Sequence, residues 1–306
     1  MMKKELDNLE LVLTSPRKRA PGTISSYMST AHIFLTWKGD DKVPTDMDLR
    51  RFFMEREKAG IAPTTRGANF IQLKKLFEAN NWPWPFKKED KPVAEEETSV
   101  PAFTPDEMEV LIKNMPKYTK QERFYVAVST VYGLRREELG RIGPRDVKEN
   151  IISLQIAKQK KMVRRQHLIP EEILPVVSAW KPRIRTARAL SFTFHRIMVK
   201  AGLGERPGWG FHCIRRTVFT LLMFELAKHS YPPQAAAEYI GWAKKTIGMA
   251  FMGSAMAGVY AHPEIMAADP YQLDRTIFSV HPFLPLFKEV QYNAGDMDND
   301  DAHEGG

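Results

Sequence analysis

Apolar positions recur at helical spacing through the first part of the chain. Thr23 can cap a helix, and the apolar residues after it return every three or four positions. Thr45, with Asp48 in the following turn, predicts a second helix start, and Thr64 or Thr65 predicts a third. The pattern therefore predicts a small, all-helical domain over residues 1–86.

A change in composition marks the end of this domain. Residues 87–101 read KKEDKPVAEEETSVP, a charged segment with little apolar surface to bury, which is typical of a linker. The next four residues, Thr104 to Glu107, combine a capping threonine, a proline at the first helical position and a glutamate at the third. A second domain is therefore expected to begin near residue 102.

The second domain is predicted to contain a short pair of strands, followed by a series of helices. Ile151–Ala157 and Arg165–Ile169 have strand character and flank a basic turn, Lys158–Arg164. The sequence beyond Pro170 predicts helices over about 171–180, 190–201, 213–229, 233–241 and 244–260. We expect a mainly α chain, with a mostly helical domain over 102–290 that contains a small β-sheet.

Composition and charge limit the kinds of partner that the protein can be expected to bind. The 306 residues suggest two domains, and 45 Lys and Arg against 37 Asp and Glu give a net charge of +8. The tail, 291–306, holds five of those acids and no Lys or Arg, so the remaining chain carries +13. A basic body with an acidic tail, expected to be disordered, favours a polyanionic partner such as nucleic acid.

Other classes of protein are disfavoured. Cys213 is the single cysteine, which excludes an internal disulfide framework and a cysteine-based metal cluster. No apolar run approaches the roughly 20 residues of a membrane span, and the charged N-terminus is unlike a signal peptide. We therefore expect a cytoplasmic protein.

Four short motifs follow one another in the second domain. Gly133–Leu139 reads GLRREEL, His212–Arg215 reads HCIR, Gly241 is followed by Trp242, and Tyr260–Pro263 reads YAHP. This ordered set, with lysines in the turn between the first two motifs, resembles the tyrosine recombinases, also called the phage integrase family. The N-terminal domain is similar to that family's helical core-binding (SAM-like) domain.

The resemblance implies a site-specific DNA recombinase that cuts and rejoins double-stranded DNA through a 3′-phosphotyrosine intermediate. It also implies a homotetramer acting on two DNA sites, with no cofactor, no bound metal, no membrane and no small-molecule substrate. Exchange of C-terminal segments between subunits would follow as well. The apolar residues of such an element, or of an ordinary core segment, are Ile277, Phe278, Val280, Phe283, Leu284, Leu286 and Phe287.

The residue chemistry fits a phosphodiester. Two guanidinium groups suit the charge that grows on the phosphate oxygens, and Arg135 and Arg215 are the candidates. Arg135 could instead form a helix-surface ion pair with Glu138 or Glu137, and the three-residue spacing favours Glu138 as a support for the Arg135 side chain. His212, one turn before Arg215, can exchange a proton near neutral pH, and Trp242 can donate its indole N–H or simply pack in the core.

The resemblance assigns Lys158 as the general acid, with Lys160 and Lys161 as alternatives in the same turn. Tyr260 is the candidate nucleophile, but it lies 18 residues after Trp242, whereas the usual motif spacing is about nine. Phe251 occupies the nine-residue position. Three interpretations are possible. A longer helix or an inserted turn could bring Tyr260 to the site, or Phe251, nine residues before Tyr260, could take the motif position of Trp242 and leave Trp242 in the core. The chain could also be a DNA-binding relative that has lost catalysis.

Overall fold

The chain folds into two compact units, Met1–Ser99 and Val100–Gly306. The computed structural model describes residues 2–16, 18–40, 42–92, 101–156, 163–206, 208–242 and 269–290. Each unit has a hydrophobic core of its own, and the two sets of core residues do not overlap. The expected mainly α architecture with a small sheet is confirmed.

The first unit is a set of helices whose starts follow from local sequence. They are α1 (Met2–Thr14), α2 (Pro21–Lys38), α3 (Asp46–Lys58) and α4 (Pro63–Ala79). The predicted cap at Thr45 is confirmed, because its side chain accepts from the Asp48 backbone N–H. The caps predicted at Thr23 and at Thr64 or Thr65 are wrong, since prolines at the first helical position start α2 and α4 earlier.

The core of the first unit is largely aromatic. Phe34 packs edge-on against Phe52, with ring centroids 5.2 Å apart, and the Phe77 ring lies 6.2 Å from Phe34. Helix α1 adds Leu9 and Leu13 to this core, both fully buried. No helix was predicted over α1, although Leu6, Leu9 and Leu13 recur at helical spacing there.

The second unit is built from helices around a short sheet. Its elements are α5 (Pro105–Lys113), a 3-10 turn (Met115–Lys117), α6 (Lys120–Tyr132), α7 (Arg136–Leu139), β1 (Val147–Lys148), β2 (Ile151–Ile156), β3 (Val163–Leu168), α8 (Leu174–Ser178), α9 (Ala187–Lys200), α10 (Phe211–Lys228), α11 (Gln234–Tyr239), α12 (Gln272–Val280) and α13 (Leu284–Glu289). The predicted capping box at Thr104 and Glu107 is confirmed. Helix α6 is buried along nearly its whole length and forms the centre of the unit.

The sheet has the order β1-β2-β3, and all its pairs are antiparallel. Ile151 pairs with Leu168 and Ile156 with Val163, which confirms the predicted strand pair. Strand β1 was not predicted, because two residues are too short to show a period. The tip between β2 and β3, residues 157–162, lies outside the described residues and carries Lys158, Lys160 and Lys161.

The C-terminal segment 269–290 packs within its own unit. Ile277, Leu284 and Phe287 are almost fully buried in the same core as α6 and α10. Within the single chain these residues therefore pack as a core segment, and exchange between subunits stays a prediction. None of the helices among the described residues is long and apolar enough to cross a membrane.

Candidate active site

The first motif forms a sharp corner between two helices. Helix α6 ends at Gly133, whose φ of +56° is the left-handed conformation that glycine adopts most readily. Arg135 follows as the N-cap of α7. Glu138 accepts hydrogen bonds from the Arg135 backbone N–H at 2.8 Å and from its Nη1 at 2.9 Å. The predicted Arg135–Glu138 ion pair is confirmed, but it lies largely buried rather than on an exposed helix face.

Arg215 reaches the same corner from α10, 80 residues further along the chain. Its Nη1 donates to the Gly133 carbonyl at 2.6 Å and to the Ile240 carbonyl at 3.0 Å. The same nitrogen lies 3.8 Å from Glu138 Oε2. Two guanidinium groups therefore converge on one buried carboxylate. We call the cluster of Arg135, Glu138 and Arg215 the arginine pocket.

The electrostatics of the arginine pocket are unbalanced. Burial and, to a smaller extent, the neighbouring charge of Arg135 together lower the pKa of Arg215 to about 10, although the charge of Glu138 acts in the opposite direction. Arg215 still carries its proton at neutral pH, so two positive charges face one negative charge. The buried Nη2 of Arg215 has no hydrogen-bond partner among the described residues. An unsatisfied cationic donor of this kind favours an anionic ligand.

His212 and Trp242 are near neighbours in sequence of residues that form or bind the arginine pocket. His212 is exposed in the first turn of α10, three residues before Arg215, so the two side chains share a helix face. Trp242 is half-buried and stacks on Phe219, with ring centroids 4.7 Å apart. It lies two residues after Ile240, whose carbonyl Arg215 binds.

Strand β2 ends against the turn that carries Trp242. Gly241 has a φ of +81°, and a Cβ added there would lie 3.0 Å from the Ile156 side chain. This contact brings the described end of the β2–β3 hairpin to the arginine pocket. Lys158, Phe251 and Tyr260 lie outside the described residues.

Two buried residues beside the site had no signal in the sequence. His167 on β3 and Asp274 on α12 form a pair 2.8 Å apart, although they are 107 positions apart in the chain. Neither residue belongs to a motif, and the helical or strand periodicity around them does not distinguish them from other residues of the same elements. Cys213 is a buried free thiol, and burial raises its pKa.

The comparisons with known proteins rest on structure. No protein-family model matches the chain, and no curated protein matches it by sequence. Among solved structures, a lambda integrase dimer bound to a COC′ core site has a TM-score of 0.60 and 15% identity, covering 78% of this chain and 94% of that one. XerH recombinase bound to its palindromic difH substrate has a TM-score of 0.57 and 16% identity, covering 82% of each chain.

The integrase of the Tn1549 transposon, in complex with transposon right end DNA, is similar to the same degree. Its TM-score is 0.57 at 16% identity, with 84% of this chain and 95% of that chain covered. These proteins are all tyrosine recombinases, and the similarity extends over both units of the chain. The chain has the fold of the tyrosine recombinases.

Proposed function

We propose that this protein is a site-specific DNA recombinase that cuts and rejoins duplex DNA through a 3′-phosphotyrosine intermediate. The observation that carries the proposal is the convergence of Arg135 and Arg215 on the buried Glu138. A phosphodiester gains negative charge on its non-bridging oxygens as it is attacked. Two fixed guanidinium groups in a partly dry pocket stabilise that charge more than they stabilise the ground state.

In the proposed cleavage step, the Tyr260 hydroxyl gives its proton to His212 while its oxygen attacks the DNA phosphorus, and the bond to the 5′ oxygen breaks. Lys158 gives a proton to the departing 5′ oxygen, with Lys160 and Lys161 as alternative donors. His212 and Trp242 donate hydrogen bonds to the phosphate. A 5′ hydroxyl from a partner strand then gives its proton back to the lysine and attacks the phosphotyrosine. Tyr260 leaves and regains its proton from His212, so no other energy source is needed.

The other pocket residues have supporting roles in this proposal. Glu138 fixes the Arg135 side chain by binding both its backbone N–H and its guanidinium. The Gly133 and Ile240 carbonyls hold one nitrogen of Arg215 and leave Nη2 to donate to a phosphate oxygen. Residues that are locked by neighbours lose little entropy when the substrate binds.

We further propose that the partner is double-stranded DNA, bound by a homotetramer on two sites. In this arrangement residues 1–86 form the core-binding domain, 87–101 the linker and 102–290 the catalytic domain. The charge of +13 outside the acidic tail supports binding to a polyanion.

The proposal is tested by trapping the covalent intermediate. Duplex sites selected by the protein from a random-sequence library are rebuilt with a nick beside the cleavage position, so that cleavage releases a short fragment and rejoining fails. Wild-type protein should form an adduct that survives denaturing electrophoresis. Tyr260→Phe should bind the same DNA and form none.

A matched control separates this result from general damage. Tyr271→Phe removes the hydroxyl of another tyrosine from the same C-terminal region and should leave adduct formation unchanged. Wild-type protein that binds the selected site yet forms no adduct contradicts the proposed chemistry.

One observation favours a second candidate, a DNA-binding protein of this fold without catalysis. Phe251, which has no hydroxyl, stands at the usual nine-residue spacing from Trp242. Under this alternative, wild-type protein and Tyr260→Phe bind the selected DNA equally and neither forms an adduct.

A further inference from the structure

Strand β3 is one of the two edge strands of the sheet, and side chains from other elements bind the backbone along its outer edge. The Leu168 backbone N–H donates to Asp274 Oδ2 at 2.7 Å, and the Leu168 carbonyl accepts from the Tyr132 hydroxyl at 2.7 Å. A free edge strand presents unpaired backbone groups, and these two bonds satisfy both groups of one residue.

The preceding residue strengthens the same junction. His167 Nδ1 lies 2.8 Å from Asp274 Oδ1, and both residues are 5% exposed or less. The imidazole also contacts the rings of Tyr132 and Tyr239, with centroids 5.5 Å and 5.3 Å away. Both oxygens of Asp274 are therefore engaged by β3, in a place that water does not reach.

These contacts join β3 to two segments of the candidate active site. Tyr132 lies three residues before Arg135. Arg165, also on β3, donates to the Glu238 carbonyl at the end of α11. The Arg215 partner Ile240 follows two residues later. Strand β3 thus contacts both flanks of the arginine pocket, and Asp274 adds the helix that follows the candidate nucleophile segment.

We propose that Asp274 is a positioning residue, which holds β3, and with it the hairpin that carries Lys158, in place against the arginine pocket. The role rests on the proposed function, because the hairpin matters to cleavage only if its lysine serves the reaction. A displacement of about 1 Å in a reacting group can slow a reaction by about two orders of magnitude. Loss of both Asp274 bonds leaves the Leu168 N–H and His167 without partners, and the strand shifts to satisfy them.

The test compares two replacements of the same carboxylate. In Asp274→Asn, the amide oxygen can accept from the Leu168 N–H while the amide nitrogen donates to His167 in its Nε2–H tautomer. Asp274→Ala keeps neither bond. On the nicked duplex described above, single-turnover adduct formation should fall roughly 10- to 100-fold with Asp274→Ala and by no more than about threefold with Asp274→Asn. Affinity for the DNA should stay within about threefold for both.

Ile277→Ala is the control for a merely structural role. Ile277 lies on the same helix and is fully buried, so its truncation weakens the packing of α12 without removing a bond to β3. Its adduct rate should stay near that of the wild type at a temperature where the protein remains folded. A rate as low as that of Asp274→Ala would overturn the proposal, as would a wild-type rate for Asp274→Ala.

Hydrogen exchange provides a readout that does not depend on cleavage. Amides of residues 163–168 should exchange faster in Asp274→Ala than in the wild type, with Asp274→Asn close to the wild type. His167→Leu, which removes one of the two Asp274 bonds, serves if Asp274→Ala does not fold, and should give an intermediate increase. Unchanged exchange in β3 overturns the positioning role, whereas a wild type that forms no adduct contradicts the proposed function instead.

Discussion

Arg215 combines two tasks in one side chain. Its Nη1 binds the Gly133 and Ile240 carbonyls, which leaves Nη2 to donate to a ligand. A lysine at this position has a single ammonium group and cannot hold both carbonyls while it also reaches the phosphate. Because the two nitrogens of one guanidinium group bind different partners, we predict that another positively charged side chain will not replace Arg215.

Arg215→Lys is expected to lower the rate of adduct formation by about 100- to 1,000-fold, the range for loss of one transition-state donor. The rate is measured on the nicked duplex under single-turnover conditions. Arg216→Lys is the control, since Arg216 is the next residue and donates only to the Pro101 carbonyl among the bonds described. Equal losses in the two variants would contradict a specific role for Arg215.

His281 gives the protein a measurable sensitivity to acid. Burial lowers its pKa from 6.5 to about 4, although backbone groups of Thr130 and Val131 oppose the shift. Between those two pH values the unfolded chain takes up a proton that the folded chain does not. The free energy of unfolding should therefore fall as the pH drops from about 6.5 to 4, by up to about 3 kcal/mol from this group.

Urea unfolding at pH 7, 5.5 and 4.5 measures this effect. His281→Gln removes the titrating group, so the difference in stability between wild type and variant should shift in favour of the variant as the pH falls. A difference that is constant across the three pH values would show that His281 does not carry the acid sensitivity.

At the scale of elements, the junction between β2 and the end of α11 depends on a missing side chain. Gly241→Ala places a methyl group 3.0 Å from Ile156 and also forces alanine into a left-handed backbone conformation. Gly204→Ala has the same backbone cost, with a φ of +70°, but nothing lies within 4 Å of the added methyl group. The two substitutions thus separate backbone strain from the contact with β2.

We expect both substitutions to lower the free energy of unfolding by about 1 kcal/mol through the backbone. Gly241→Ala should lose about 1 kcal/mol more through the contact with Ile156. It should also slow adduct formation, whereas Gly204→Ala should not. Equal stability losses measured by urea unfolding would contradict a tight junction at Gly241.

How far the sequence predicts these elements depends on the range of the interactions that form them. The caps at Thr45 and Thr104 were predicted, because a capping box is contained within four consecutive residues. The starts assigned to Thr23 and Thr64 were wrong, because a proline just upstream is a stronger start signal than a threonine inside the first turn.

For the candidate site, too, contacts between residues close in sequence were easier to predict than contacts between distant ones. The Arg135–Glu138 pair could be predicted from its three-residue spacing on a helix. The bond from Arg215 to the Gly133 carbonyl joins residues 82 apart, and only the resemblance of ordered motifs suggested that the two arginines meet. The Asp274–His167 pair had no such guide, since a buried pair between distant elements leaves no local pattern.

At the scale of the whole molecule, the two separate cores predict two units that fold on their own. Leu9, Phe34 and Phe77 belong to one core, and the core around α6 and α10 contains none of them. A fragment of residues 101–306 retains the Pro101 carbonyl that Arg216 binds and the Phe103 carbonyl that Thr217 binds. It should therefore unfold cooperatively, within about 3 °C of one of the transitions of the full chain in calorimetry.

The same fragment shows how the units share the work on DNA. It contains the arginine pocket and Tyr260, so under the proposed function it should still form the phosphotyrosine adduct once DNA is bound. It lacks the phosphate contacts proposed for residues 1–86, so its affinity should be lower and should fall less steeply with salt, by roughly one unit of slope for each lost contact. Titrations of both proteins at several salt concentrations measure the two slopes. Identical slopes would mean that the first unit adds no ionic contact with DNA, and the core-binding role proposed for residues 1–86 would then have to be abandoned even if cleavage itself were observed.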